Sequence, residues 1–164
     1  MPSRGVHFAI DVPVARRLLE VSGKDKAVEA IVEEIERAWD VEHLAQSDKA
    51  WDAIHRCLTD GRLLHENGTY PLNRCILGGR QLYRGDDHIA SFVSADEVRD
   101  VAAALEGVSE DWFREQYRAL VPRDYSPNYG DEDCEYTWSW FEGVRALFVR
   151  AAAEGRAVLF TVDA

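Results

Sequence analysis

The sequence has few cysteines, no long apolar run and no internal repeat. Its three cysteines, Cys57, Cys75 and Cys134, are widely spaced, contain no CxxC pair and do not group with histidines as metal ligands do. We therefore expect reduced thiols, no bound metal or cofactor, and a cytoplasmic protein. No apolar stretch approaches the length of a membrane-spanning helix. The apolar run at residues 6–10 is too short for a signal peptide, so we expect the protein to stay where it is made.

Positive charge is also scarce. Acidic residues outnumber basic ones by 30 to 19, which gives a net charge of -11. Phosphate contacts supply most non-specific affinity for nucleic acids, so this charge argues against a nucleic-acid partner and, equally, against an anionic membrane surface. The same charge favours a basic protein partner by steering its approach, although a requirement for solubility explains it as well.

Catalytic and phosphate-binding motifs are missing. The sequence has no GxSxG, HExxH, GxGxxG or GxxxxGK[ST] pattern. The acidic run Asp131-Glu132-Asp133 lacks the alternating oxygen ligands and the glycine of a calcium loop. The run Leu77-Gly78-Gly79-Arg80 offers backbone N–H groups to an anion, but a turn with positive φ explains its glycines better. Nothing here specifies a reaction, and we favour a protein that is not an enzyme.

The residues that are present predict one α+β domain over residues 1–164. Hydrophobic residues make up 46% of the chain, which is enough to form a core. Alternating and helical apolar patterns predict strands at both ends of the chain, one or two internal strands, and five to six helices. The predicted sheet is therefore small, with three to four strands that include the two terminal ones, and it packs against the helices.

Capping residues and apolar spacing predict where the helices lie. Helix starts are predicted at Asp11, Ser47, Ser94 and Ser109. A helix over about residues 25–37 places its glutamates, Glu29, Glu33, Glu34 and Glu36, largely off its apolar stripe. A strand is predicted at residues 39–44 and a helix at 48–58. The longest helix is predicted over about residues 134–154, with Gly155 as its end.

The helix predicted at residues 48–58 is the best local candidate for chemistry. At helical spacing Asp48, Asp52 and His55 share one flank, and a carboxylate–histidine pair can bind a metal or share a proton. Structural explanations compete, because Asp48 would offset the helix dipole and His55 would satisfy a carbonyl beside the core. A small-molecule site between this helix and the loop at residues 72–80 would draw on Asp48, Lys49, Trp51, His55, Asn73, Gly78 and Gly79.

The longest helix carries a second candidate surface. Its predicted core face consists of Tyr136, Trp140, Phe141, Val144, Leu147, Phe148 and Ala151. Trp138 projects the opposite way, near Glu142 and Arg145. Either the segment 121–130, with Tyr125 and Tyr129, covers Trp138, or Trp138 is an exposed partner-binding residue together with Glu142 and Arg145. We favour internal cover, because exposed aromatic patches are unusual on monomers.

Taken together, these segments resemble the YfbM-like family of small bacterial proteins, which has no established activity. The likeness covers nearly the whole length and rests on Asp48-Lys49-Ala50-Trp51 with His55, Pro71-Leu72 with Ile76-Leu77-Gly78-Gly79, Phe92-Val93-Ser94 with Glu97-Val98, Glu135-Tyr136, Trp140-Phe141, Arg145-Ala146-Leu147-Phe148 and Ala151-Ala152-Ala153-Glu154-Gly155. The resemblance implies a bacterial cytoplasmic α+β domain and supplies no catalytic residues. Relatives often carry a second histidine where Asp52 stands here, so a two-histidine site would be altered in this chain.

Three functions follow as alternatives. The leading hypothesis is a non-catalytic protein-interaction domain that binds a basic partner, with an immunity-type role against a basic toxin as one version. The alternative is a small-molecule-binding or hydrolase-like site between the helix 48–58 and the loop 72–80. The third is a self-associating domain without a ligand, since the sequence does not specify the oligomeric state.

Overall fold

A five-stranded antiparallel sheet forms the centre of this structure, a computed structural model that describes residues 3–120, 124, 125 and 129–163. Its strands are β1 (Gly5–Ile10), β2 (Leu44–Asp48), β3 (Arg80–Gln81), β4 (His88–Val93) and β5 (Ala157–Asp163). They lie in the order β2-β1-β5-β4-β3, and every neighbouring pair is antiparallel. The first and last strands of the chain therefore pair with each other at the middle of the sheet.

The predicted α+β class is confirmed, but the predicted strand count of three to four is too low. The strand predicted at residues 39–44 is wrong: Trp39 ends a helix, a short 3-10 helix covers Val41–His43, and β2 begins at Leu44. This edge strand is polar at its end, so it lacks the apolar alternation by which strands are recognised. β3 has only two residues and is too short to leave a pattern.

Six α-helices surround the sheet in the described part of the chain. They are α1 (Val12–Glu20), α2 (Asp25–Ala38), α3 (Trp51–Leu58), α4 (Ala95–Glu106), α5 (Glu110–Arg118) and α6 (Asp131–Glu154). The predicted caps are confirmed at Asp11, Ser94 and Ser109, whose side chains accept backbone N–H bonds, and at Gly155, which ends α6 at φ 69°. None of these helices is both long and apolar enough to cross a membrane.

The cap predicted at Ser47 is wrong. Ser47 is buried within β2, and its hydroxyl donates a hydrogen bond to the carbonyl of Gly5 at 3.3 Å. The following helix, α3, begins at Trp51 with Ala50 before it, so Asp48 is a strand residue rather than a helical one. The polar side chain of Ser47 serves strand pairing, which local sequence does not distinguish from helix capping.

The two faces of the sheet carry separate apolar clusters. One face, with Ala9, Val158 and Phe160, packs against α3, α4, α5 and α6. The opposite face, with Phe8 and Leu159, packs against α1 and α2. Successive strand residues point to opposite faces, so the central strands β1 and β5 contribute to both clusters. In consequence α2 lies on the side of the sheet opposite to α6.

Candidate functional site

The structure does not assemble the predicted ligand site around His55. His55 is 1% exposed, and its Nδ1 accepts the N–H of Leu77 at 3.5 Å while its Nε2 donates to Oδ1 of Asn67 at 2.8 Å. Burial lowers the pKa of His55 below its ordinary value, which favours the neutral ring that this pairing requires. Both ring nitrogens are thus used inside the core. Asn67, which completes this packing, has no signal in the sequence beyond its place in an Asn-Gly turn.

Asp48 faces a different part of the protein. Its backbone is left-handed at φ 47°, and its Oδ2 accepts the hydroxyl of Tyr136 at 2.6 Å, while Oδ1 lies 3.3 Å from Nε of Arg4. Lys49 is exposed and Trp51 is half-buried. The helical spacing that placed Asp48 beside His55 does not exist, because β2 continues through Asp48. The small-molecule site predicted here is therefore not supported.

Gly78 and Gly79 are explained by close backbone contacts. Neither residue has a positive φ, which corrects the turn predicted for them. A Cβ atom on Gly78 would lie 2.0 Å from the carbonyl oxygen of Asn73, and one on Gly79 would lie 2.6 Å from that of Phe92. The N–H of Gly78 also donates to the Asn73 carbonyl at 2.9 Å. These contacts account for both glycines without a bound anion.

The prediction that Trp138 is covered from within is confirmed. Trp138 is 6% exposed; the ring of Phe113 from α5 lies 5.4 Å from it and the guanidinium of Arg145 lies 5.3 Å from its centre. Arg145 also donates to the carbonyl of Val108 at 2.8 Å. The partner-binding surface proposed for Trp138, Glu142 and Arg145 therefore has no exposed tryptophan at its centre.

The described tyrosines of the segment predicted to cover Trp138 pack against Tyr117 instead. The ring of Tyr129 stacks on Tyr117 at 5.1 Å, and the ring of Tyr125 meets Tyr117 edge-on at 6.0 Å. Tyr125 also donates its hydroxyl to Asp133 at 2.7 Å. Residues 121–123 and 126–128 of the predicted covering segment lie outside the described residues. Among the described residues, Phe113 of α5 and Arg145 cover Trp138.

A cleft between α2 and β4 combines acidic, aromatic and apolar side chains. It has a volume of about 210 Å³ and lies on the α1–α2 side of the sheet. It is lined by Val28, Glu29, Val32, Glu33, Glu36, Tyr83, His88, Ile89, Ala90 and Thr161. We call it the α2–β4 cleft. Two lining residues from neighbouring strands, Ala90 and Thr161, are paired in the sheet.

Three glutamates form one wall of the α2–β4 cleft. Glu29, Glu33 and Glu36 are spaced by four and three residues, which places them on one flank of α2. Beneath them Val28 and Ala90 are buried and supply an apolar floor. A wall of carboxylates above apolar groups suits a ligand that has a cationic head and an apolar stem.

The other wall of the α2–β4 cleft is aromatic and is tied to the first by Glu29. Oε1 of Glu29 accepts the hydroxyl of Tyr83 at 3.3 Å and lies 2.9 Å from Nε2 of His88. The rings of Tyr83 and His88 meet edge to face at 5.2 Å. Partial burial, with the negative charge of Glu29, raises the pKa of Tyr83, so its hydroxyl remains a donor. Sequence reasoning placed these glutamates off the apolar stripe of α2 but proposed no site there, and it missed Tyr83 and His88, because strand pairing brings them to α2.

A second cleft of about 240 Å³ lies on the other flank of α2, against α1 and β1. At its rim, His43 lies between two carboxylates, with Nδ1 2.7 Å from Asp40 and Nε2 2.9 Å from Glu154. Glu154 also lies 3.4 Å from Nε of Arg156. These charged groups are paired with one another, and no three histidine, cysteine or acidic side chains in the described ranges are grouped as metal ligands.

The pairing of His43 predicts a histidine that titrates above its ordinary range. Glu154 first, and then Asp40, raise the pKa of His43 above its usual value. We expect the Glu154→Gln variant to lower the pKa of His43 towards its usual value, because the larger stabilising contact with the imidazolium is lost. Titration of the ring signals by NMR measures this. The variant Glu106→Gln, on the exposed end of α4, should leave the pKa unchanged, and equal values in all three proteins would contradict the ion pair.

Known proteins match the chain in family and in fold. The model of the family described as Domain of unknown function (DUF1877) matches residues 1–161. The crystal structure of a protein of unknown function, YfbM from Escherichia coli, matches with a TM-score of 0.69 and 20% identity, covering 97% of this chain and 99% of that one. No curated protein matches. The YfbM-like resemblance in the sequence is confirmed, and the solved structure supports the fold alone.

Proposed function

The chain belongs to the DUF1877 family, whose function is unknown. We propose that it is a non-catalytic interaction module for a basic protein. The observation that carries the proposal is the acid wall of the α2–β4 cleft, where Glu29, Glu33 and Glu36 stand above an apolar floor. The net charge of -11 would steer a basic partner towards the protein and repel an acidic one.

Trp39 adds a partly exposed aromatic side chain at the end of α2, where its ring meets that of Phe8 on β1 edge-on at 6.1 Å. It follows Glu36 by three residues, is 40% exposed, and ends α2 in the left-handed region at φ 43°. Glycine is the usual residue at such a position, and a bulky side chain there costs free energy. Exposed tryptophans are enriched among the residues that dominate binding. We therefore place Glu29, Glu33, Glu36 and Trp39 in one proposed binding surface, the α2 face.

One version of this proposal is an immunity-type role, in which the α2 face neutralises a basic toxin inside the cell. The three cysteines Cys57, Cys75 and Cys134 are buried free thiols, which supports the cytoplasm as the proposed compartment. The proposal requires no reaction, since the α2 face acts by charge and shape.

The α2 face predicts that charge reversal at Glu33 removes binding of a basic protein. Affinity capture at low salt from the native host should recover a basic protein with the unaltered chain and not with Glu33→Lys, because the variant repels the partner where the wall is most exposed. The recovered protein is then titrated against the purified chain by calorimetry. The matched control is Glu115→Lys, an exposed glutamate on α5 across the sheet. Capture that survives Glu33→Lys, or recovers only acidic proteins, contradicts the proposal.

A further inference from the structure

One carboxylate of the α2–β4 cleft has no ionic partner in the described part of the chain. Glu29 is engaged by Tyr83 and His88, as its distances of 3.3 Å and 2.9 Å show. Glu33, one turn further along α2, is exposed and forms no ion pair with any residue that the structure describes. The cleft therefore presents an uncompensated negative charge beside an apolar floor, and this pairing selects for a cation with an apolar part.

The size of the α2–β4 cleft limits what it can receive. Its volume of about 210 Å³ is below the range of roughly 300 to 1,000 Å³ that is typical of sites for drug-sized ligands. A single long side chain is of a suitable size, and its stem would lie against Val32 and Ala90. A long side chain of this kind belongs to a protein, so the small volume of the cleft favours a protein partner over a drug-sized ligand.

We infer that the α2–β4 cleft receives one arginine side chain of a basic protein partner, an inference that rests on the proposed function and names the group recognised. Arginine is favoured over lysine by the aromatic wall. A guanidinium is planar and weakly hydrated, stacks on rings such as Tyr83, and binds a carboxylate through two parallel hydrogen bonds. A lysine ammonium would gain only the charge of Glu33 and would keep more of its hydration.

The experiment uses three blocked glycine–X–glycine tripeptides as probes, in which X is arginine, lysine or the neutral analogue citrulline. Binding is followed by amide chemical shifts of the intact protein in NMR titrations. We expect the arginine peptide to shift signals of Val32, Ala90 and Thr161 and to bind about threefold more tightly than the lysine peptide. The citrulline peptide should not bind measurably, because its charge is absent.

Two test variants and one matched control distinguish binding in the cleft from general electrostatic attraction. Glu33→Gln should weaken binding of the arginine peptide about tenfold, since a charge-assisted hydrogen bond is lost. The matched control, Glu115→Gln on α5, has the same net charge and should bind as the unaltered protein does. Val32→Phe keeps every charge and fills the cleft, so it should abolish the preference for arginine.

Each outcome bears on the inference. Equal affinity for the arginine and lysine peptides, shifts confined to residues outside the cleft, or equal losses in Glu33→Gln and Glu115→Gln would overturn it. None of these results would contradict the proposed function, because capture of a basic protein by the α2 face does not require an inserted arginine. If no basic protein is captured but the arginine peptide still binds selectively, the cleft would instead be a site for small guanidinium ligands. That result would contradict the protein partner.

Discussion

Replacing Gly78 by alanine is expected to lower the free energy of unfolding by about 3 kcal/mol. A Cβ atom at this position would lie 2.0 Å from the carbonyl oxygen of Asn73. The clashing atom belongs to the backbone and cannot rotate away, and the same carbonyl already accepts the Gly78 N–H at 2.9 Å. Relief of the clash would separate the ends of this turn and disturb the buried residues Cys75, Ile76 and Leu77.

The control for Gly78→Ala is the same change at Gly143. Gly143 lies inside α6 with no atom within 4 Å of an added Cβ. Alanine is a better helix former than glycine, so Gly143→Ala should raise stability by about 1 kcal/mol. Urea unfolding of both variants, with the slope compared as well as the midpoint, gives the two changes. If Gly78→Ala is as stable as the unaltered protein, the close approach of the two backbone segments is wrong.

Sequence reasoning predicted features that depend on neighbouring residues and failed for features that depend on contacts between distant ones. The caps at Asp11, Ser94 and Ser109 were predictable because a side chain bonds to a backbone group three residues away. Ser47 has the same local pattern, but its hydroxyl is used by Gly5 in the neighbouring strand. The role assigned to Ser47 therefore determined whether a helix or a strand was predicted at Asp48. The error at Ser47 also misplaced Asp48 relative to His55.

The candidate site shows the same limit. The glutamates of α2 were predicted to lie off its apolar stripe, as they do, because helical periodicity is a local property. Their counterparts Tyr83, His88 and Thr161 reach the cleft through strand pairing, in which Ala90 lies opposite Thr161. No local pattern encodes a register between residues so distant in sequence. Trp138 was misplaced for a related reason: it was predicted to project away from the core face of α6, but its ring lies 5.4 Å from that of Phe141 on the same helix and 5.4 Å from that of Phe113 on α5.

Acid is expected to destabilise the protein through His7. Its side chain is 0% exposed within the core, where Nε2 donates to the carbonyl of Cys75 at 2.7 Å and Nδ1 has no hydrogen-bond partner among the described residues. The ring packs against Phe160 with centroids 4.6 Å apart and against Phe148 at 5.7 Å. Burial lowers the pKa of His7 from 6.5 to about 4, and the bond to Cys75 opposes this only in part.

The sign of the effect follows from the lowered pKa of the folded state. Between pH 6.5 and about 4 the unfolded chain binds a proton at His7 and the folded chain does not. Stability contributed by neutral His7 is therefore present above pH 6.5 and is lost as the pH falls towards 4. The loss amounts to roughly 3 kcal/mol, from a shift of more than two pKa units at about 1.4 kcal/mol each.

The variant His7→Gln isolates this contribution. Glutamine can place a donor near the position of Nε2 for the Cys75 carbonyl but does not titrate, so the variant should be less stable than the unaltered protein at neutral pH. The stability gap between the two should narrow by roughly 3 kcal/mol as the pH falls to about 4, because only the histidine protein loses stability at this position. The exposed Ser139→Ala, which removes no titratable group, serves as control and should show a gap that does not change with pH. A gap for His7→Gln that stays constant in urea unfolding across this range would show that His7 titrates normally, and that water reaches the ring between Phe148 and Phe160.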